Sequence, residues 1–196
     1  EANVTAGKLS WKDKPNVWAV EGGGGYMQKY TGVETAANNG IYHYLSAGKS
    51  GGKRRFAVGY EYTGATYDNN DLGFLPINNL LNFFANTSYH TYEPLWHLNQ
   101  LNLTVDVNYT RIINPDAFHN FSINLDAWGN FRNFIFMGLW MYTEPVITYD
   151  YFEPRSPGRY YTYPINYNFG GWISSDYSKR FAFDLSSNLR LFGEES

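Results

Sequence analysis

Cysteine is absent from the 196 residues, which excludes disulfides, thiolate metal sites and a cysteine nucleophile together. Charge is scarce too. Only 17% of residues are charged, and a formal net charge of −3 offers no electrostatic footprint for nucleic acid. No run approaches the ~20 apolar residues of a membrane helix, so a helical membrane protein is excluded. Apolar residues at helical spacing are hard to find anywhere. Glu1-Ala2-Asn3-Val4 has neither the basic start nor the apolar stretch of a secretory leader. The chain therefore reads as a mature segment or a part of something longer.

Aromatic residues are abundant. Tyr 18, Phe 14 and Trp 6 make 38, against 33 formal charges, an unusual balance for a soluble domain. The mean hydropathy of −0.46 is that of a soluble protein, but strands with one polar and one apolar face also average to a modest value. The length suits one domain, and residues 1–196 are expected to form a single β-barrel domain or barrel fragment.

Alternation carries the fold signal. Leu101, Leu103, Val105, Val107 and Tyr109 alternate with Asn102, Thr104, Asp106, Asn108 and Thr110. Phe121, Ile123, Leu125 and Ala127 alternate with Ser122, Asn124 and Asp126, and Phe183, Leu185, Leu189 and Leu191 stand against Asp184, Ser186, Asn188 and Arg190. A period of two is what a sheet with one apolar and one polar face requires. Turn residues divide the chain into ten such segments, near 2–11, 15–30, 40–49, 53–66, 80–92, 96–112, 119–129, 133–147, 161–174 and 180–192.

The intervening turns alternate between short and mostly longer ones, the mark of an up-and-down outer-membrane barrel. Ten of the fifteen basic residues, among them Lys8, Lys12, Lys53 and Arg132, fall toward the short-turn end, and Asp68, Asp71, Asp150 and Glu153 fall in the longer loops. Trp11, Tyr30, Tyr67, Tyr92, Trp96, Trp128, Tyr149 and Trp172 lie near strand ends, where an interfacial aromatic girdle would sit. Phe134 to Tyr142 is apolar on both faces, so in a barrel something is expected to fill the lumen beside it.

Three motifs carry a family resemblance. Tyr67-Asp68-Asn69-Asn70-Asp71-Leu72-Gly73-Phe74 is similar to an N-D-L-G-(F/Y) loop, Pro154-Arg155-Ser156-Pro157-Gly158-Arg159 with Pro164 to an R-G-G-P stretch and a downstream proline, and Ser175-Asp176-Tyr177-Ser178-Lys179-Arg180 to an S-D-x-(R/S)-K turn. Through these motifs, residues 53–192 resemble the Bacteroidota outer-membrane proteins that carry a family-9-like carbohydrate-binding domain ahead of a β-barrel of unassigned function. Ser156-Pro157-Gly158 permutes the glycines and proline of the pattern. The resemblance implies a bacterial outer-membrane location, further strands beyond these ten, and no established activity.

Chemical motifs are weak. Gly22 to Gly25 lacks the lysine, serine and helix of a phosphate loop and reads as a place where side chains would clash. His90 and His97 with Glu93 have no recognised metal spacing. Ser122, His119 and Asp126 supply the residue types of a hydrolase without a nucleophile elbow. Asp68 to Asp71 resembles half a calcium loop but lacks the spaced glutamate. Sequons at Asn3, Asn86, Asn102, Asn108 and Asn120 fall largely on the polar stripe.

The expected fold is thus all-β, an antiparallel up-and-down transmembrane β-barrel with about ten strands here, part of a larger barrel. The expected function is non-enzymatic, as an outer-membrane channel or a scaffold subunit of a surface complex linked to glycan handling, with no cofactor and no metal. Asn102, Thr104, Asp106, Asn108, Ser122, Asn124, Asp126, Asp184, Ser186 and Asn188 would face the lumen. Asp71, Leu72, Gly73, Phe74, Tyr149, Arg155 and Arg159 would form a loop contact surface. Expected partners are membrane lipid and lipopolysaccharide, other outer-membrane proteins or lipoproteins, and glycans, with no nucleic acid. A soluble carbohydrate-binding β-sandwich and an outer-membrane hydrolase are the alternatives.

Overall fold

The computed structural model describes residues 2–30, 38–68, 78–156 and 158–193. Ten strands form one antiparallel sheet: β1 (Ala2–Lys12), β2 (Trp18–Lys29), β3 (Asn38–Lys49), β4 (Arg54–Thr63), β5 (Leu80–His90), β6 (Leu98–Ile112), β7 (Ala117–Phe131), β8 (Phe136–Glu144), β11 (Asn166–Ser174) and β12 (Asp184–Phe192). The short strands β9 (Thr148–Asp150) and β10 (Tyr161–Tyr163) pair with each other inside the connection from β8 to β11. The order in the large sheet follows the chain, a pure meander. Among the described residues β1 pairs only with β2 and β12 only with β11, so the sheet is open. Among the described residues no helix is long and apolar enough to cross a membrane, which says nothing of a β-barrel.

The all-β antiparallel architecture and the strand sequence match the reading of the alternation; closure does not appear in this sheet. The ninth strand begins at Asn166 rather than near 161, because Tyr161–Tyr163 leaves the sheet to pair with Thr148–Asp150. The strict alternation of turn lengths also needs correction. Segment 113–116, at the end with the longer loops, is as short as 50–53 and 132–135, and 175–183 at the other end is longer. Asn79 explains the first case: its Nδ2 donates to the Asn114 carbonyl at 2.6 Å and its Oδ1 accepts the Asn114 N–H at 2.9 Å, cinching the turn.

The sidedness of the sheet is inverted relative to a soluble protein. In β4, Phe56 and Val58 are exposed while Ala57 and Gly59 are half-buried. In β5, Phe83 and Ala85 are exposed while Phe84 and Asn86 are half-buried. The polar side is the sheltered one, as when a sheet bends toward its polar face. Only Met27, Tyr67 and Ile112 are buried apolar side chains among the described residues. The chain exposes 13310 Å², whereas a compact soluble monomer of this mass exposes about 9,500 Å².

A bulge restores the alternation near the start of β7. Thr110 pairs with Asn120 but Arg111 pairs with Phe118, so His119 is an extra residue. The shift delivers Phe118 to the apolar face, 5.7 Å from the Tyr109 ring and 6.2 Å from that of Tyr149. At the opposite end, Trp18 packs edge-on against Phe56 at 5.7 Å. The first turn is held by Asp13, whose Oδ1 accepts the N–H of Val17 at 2.7 Å and of Trp18 at 2.9 Å, while Asn16 takes a φ of 55°. In the last, the Ser178 hydroxyl and N–H hold the Asp176 carboxyl below the usual carboxylate range. Replacing Asp13 by Ala removes both bonds and should lower stability by about 1–2 kcal/mol, read as a shift in the urea midpoint. Asn16→Gly, which suits the same φ, should change it by less than about 0.5 kcal/mol.

Candidate functional site

The polar face gathers nearly all the chemistry-bearing side chains. Asn102, Thr104, Asp106 and Asn108 on β6 stand opposite Trp128, Asp126, Asn124 and Ser122 on β7. The ladders through β8 and β11 carry the same face to Asp184, Ser186 and Asn188 on β12. All ten residues expected on a polar surface therefore share one face, continuous from β6 to β12. Asn102 and Ser122 are buried, and those on β12 are exposed.

Cross-strand hydrogen bonds bind this face. Asp106 accepts from Asn86 Nδ2 on one side and, at 3.5 Å, from Asn124 Nδ2 on the other. Asn82 donates to Asn108 at 3.4 Å and accepts from the Thr110 hydroxyl at 3.0 Å. A second hub is Glu144, which accepts from Asn120 Nδ2 at 3.0 Å, from the Tyr142 hydroxyl at 3.1 Å and from Asn166 Nδ2. Arg190 then donates to Asn166 Oδ1 at 3.3 Å, extending the chain of contacts to β12. Three strands are tied through one carboxylate, and the fourth joins through Asn166. Toward β2, the small residues Ala19, Gly48 and Ala57 floor a depression of about 400 Å³ walled by Glu21, Arg55 and Asn86.

Aromatic side chains occupy this face as well, which alternation had not suggested. Trp128 and Trp172 both stand opposite Gly138, and Trp140 stands opposite Gly170. Trp128 and Trp172 are therefore not girdle residues on the apolar side, which their positions near strand ends suggest. The signal was present: Trp128 falls in step with Ser122, Asn124 and Asp126, not with Phe121 to Ala127. A Cβ on Gly170 would meet Trp140 Cζ2 at 2.8 Å, and one on Gly138 would run into the Trp172 Nε1. The indoles therefore lie across neighbouring glycines, the pairing that glycine in a sheet invites. On β8, Gly138 and Trp140 both take part in this packing. Lys8 also departs from expectation: it sits in mid-strand on the polar face, 3.8 Å from Glu21.

Among the described residues, the histidine motifs assemble neither a hydrolytic nor a metal site; Asn69 to Asp71 of the acidic loop lie outside those residues. His119 Nδ1 lies 2.6 Å from the Tyr149 carbonyl oxygen, and its ring meets Phe152 edge-on. Asp126 lies four residues along the same strand from Ser122, about 13 Å away. His90 has Nδ1 against Asn102 Oδ1 and Nε2 3.1 Å from the Ser88 hydroxyl. No group of three metal-ligating side chains occurs among the described residues.

In the candidate loop surface, Tyr149 lies in β9 and stacks edge-on with Tyr160 at 5.4 Å, while Arg155 and Arg159 are exposed beyond it. Asp71, Leu72, Gly73 and Phe74 lie outside the described residues. On the opposite, apolar face, Gly129 and Gly171 floor a depression of about 470 Å³ lined by Leu101, Met137, Leu139 and Leu185.

The Glu144 hub should show its role in stability. Glu144→Ala strands three donors and should cost about 2–4 kcal/mol; Glu144→Gln keeps one acceptor and should cost less than half as much, by chemical unfolding followed through tryptophan fluorescence.

No curated protein and no solved structure is significantly similar to the chain. A family model matches residues 1–196, and the chain accordingly belongs to the family described as a domain of unknown function, DUF5916.

Proposed function

We propose that this sheet is the lipid-embedded wall of a bacterial outer-membrane β-barrel, with its polar face turned to the lumen and further strands completing the ring. In this reading the protein is non-enzymatic and acts as a channel or as a scaffold subunit of a surface complex that handles glycans. The observation that carries it is the inverted exposure: Val58 is 55% exposed and Leu139 69% exposed on the apolar side, while Asn86 and Asp106 are sheltered on the polar side. Water penalises that arrangement by roughly 25 cal/mol for each Å² of apolar surface left wet; lipid removes the penalty. Strands of nine to fifteen residues also suit a membrane crossing, which takes about 9–11.

Aromatic residues fit the two interfaces. Trp18 and Phe56 mark the end of the apolar band at the 13–17 and 50–53 turns, and Tyr109, Phe118 and Tyr149 mark the other. The hairpin of β9 and β10 with Arg155 and Arg159 would project beyond the membrane as a contact for lipopolysaccharide or for partner proteins. A soluble sandwich needs a second sheet over the apolar face, and among the described residues the only other sheet is the three-residue pairing of β9 with β10.

Fractionation of the full-length protein tests the location. Recovery in the outer membrane with a mobility shift on boiling is expected; a detergent-free soluble monomer overturns the reading. Lysine substitution tests the sidedness. Val58→Lys should destabilise the folded form by about 2–4 kcal/mol if the apolar face meets lipid, seen as loss of the unboiled, fast-migrating band. Thr104→Lys on the polar face should leave that band in place.

A further inference from the structure

Three tryptophans stand on the polar face, and nothing in the framework just described employs them. We infer that Trp128, Trp140 and Trp172, with Asn102, Asp126 and Asn188 around them, form a binding track for a neutral oligosaccharide.

Placement is the first argument. Trp128 and Trp172 flank Gly138 from the two neighbouring strands, and Trp140 follows one pleat further along β8, with Tyr142 one pleat beyond it. From Gly138 to Tyr142 the aromatic ladder covers about 13 Å of strand. Because Trp140 and Trp172 lie across Gly170 and Gly138 rather than standing off the sheet, each indole turns one broad face to the open side. Trp172 is 37% exposed although its ring covers a neighbour. A pyranose ring presents a face of weakly positive C–H groups that complements the negative face of an indole.

The polar surroundings select the ligand class. Asn188 stands opposite Gly170, beside Trp140, and Asp126 stands opposite Trp140 on the other side. These groups accept and donate to hydroxyls at the rim of a stacked ring. Asn102, opposite Trp128, is only 5% exposed, and its Nδ2 has no hydrogen-bond partner; Asn168 Oδ1, across from Tyr142, is likewise unpartnered. Buried amide groups left unpaired are costly, so hydrogen-bonding capacity unused by the protein lies beneath both ends of the track. A nucleotide or sugar phosphate needs a cation at hand. The nearest on this face, Arg190, instead donates to Asn166 and has its guanidinium 4.9 Å from the Phe192 ring centroid. The ligand is therefore uncharged.

The inference rests on the polar face being open to solvent in the assembled protein, as a lumen would be. Its test uses the full-length protein in detergent micelles, titrated with maltohexaose, cellohexaose and chitohexaose and followed by tryptophan fluorescence and calorimetry. At least one hexasaccharide should bind. Trp172→Ala and Trp140→Ala should each weaken that binding at least tenfold. Trp172→Phe should recover most of it, and Trp11→Ala on the apolar face should change nothing. The boiled and unboiled mobility of each preparation reports folding, and Asn188→Ala, which touches no indole packing, should weaken binding several-fold in a protein that migrates as wild type. Absence of binding to all three sugars, or binding unaltered in well-folded Trp140→Ala and Trp172→Ala, overturns the track and leaves the barrel reading standing. Saccharide binding by a protein that fractionates as a soluble monomer upholds the track and overturns the barrel.

Discussion

Register is the constraint on which everything else in this sheet depends. Side chains alternate with a period of two, so a slip of one residue at any ladder would throw all the following strands onto the wrong face. Nine consecutive ladders avoid it, and the polar and apolar surfaces stay continuous from β1 to β12. Where the sequence itself slips, between Phe118 and Asn120, the bulge at His119 absorbs the extra residue. The polar network then locks what the backbone has set: Asp106 bridges β5 to β7, and Glu144 bridges β7, β8 and β11.

The two faces solve different problems. On the apolar side the described residues supply no second layer whose shape would have to be matched. Leucine, valine and phenylalanine stand out there without a partner layer. On the polar side every buried donor and acceptor needs a specific mate, and asparagine, with two donors and an acceptor oxygen, recurs at ten ladder positions there, from Asn82 to Asn188. Glycine serves this side too, receiving indoles that would otherwise crowd the neighbouring strand.

Much of this was legible in the linear chain. The Leu101 to Thr110 and Phe121 to Ala127 alternations gave strand, face and partner, because β6 and β7 are consecutive and their turn is four residues long. What escaped was long-range or local in an irregular way. The covering of Gly138 by Trp172 joins residues 34 positions apart through a ladder that pattern alone does not register. Trp128 was assigned by its nearness to a strand end, although its phase already placed it with the polar set. Tyr161 to Tyr163 have the composition of a sheet strand, and only their pairing with β9 shows that they leave it. The unpaired amide atoms of Asn102 and Asn168 were likewise beyond the sequence, since they are evident only in three dimensions.

The β9–β10 hairpin has a kinetic meaning. In a meander each strand finds its partner next in the chain, so the sheet can lengthen one hairpin at a time, with the entropy of each closure set by a few residues. The step from β8 to β11 is the longest, spanning 145–165. By pairing with itself and stacking Tyr149 on Tyr160, that segment brings its own ends together before β11 arrives. The widest gap in the growing sheet is thereby crossed by a piece that has already folded.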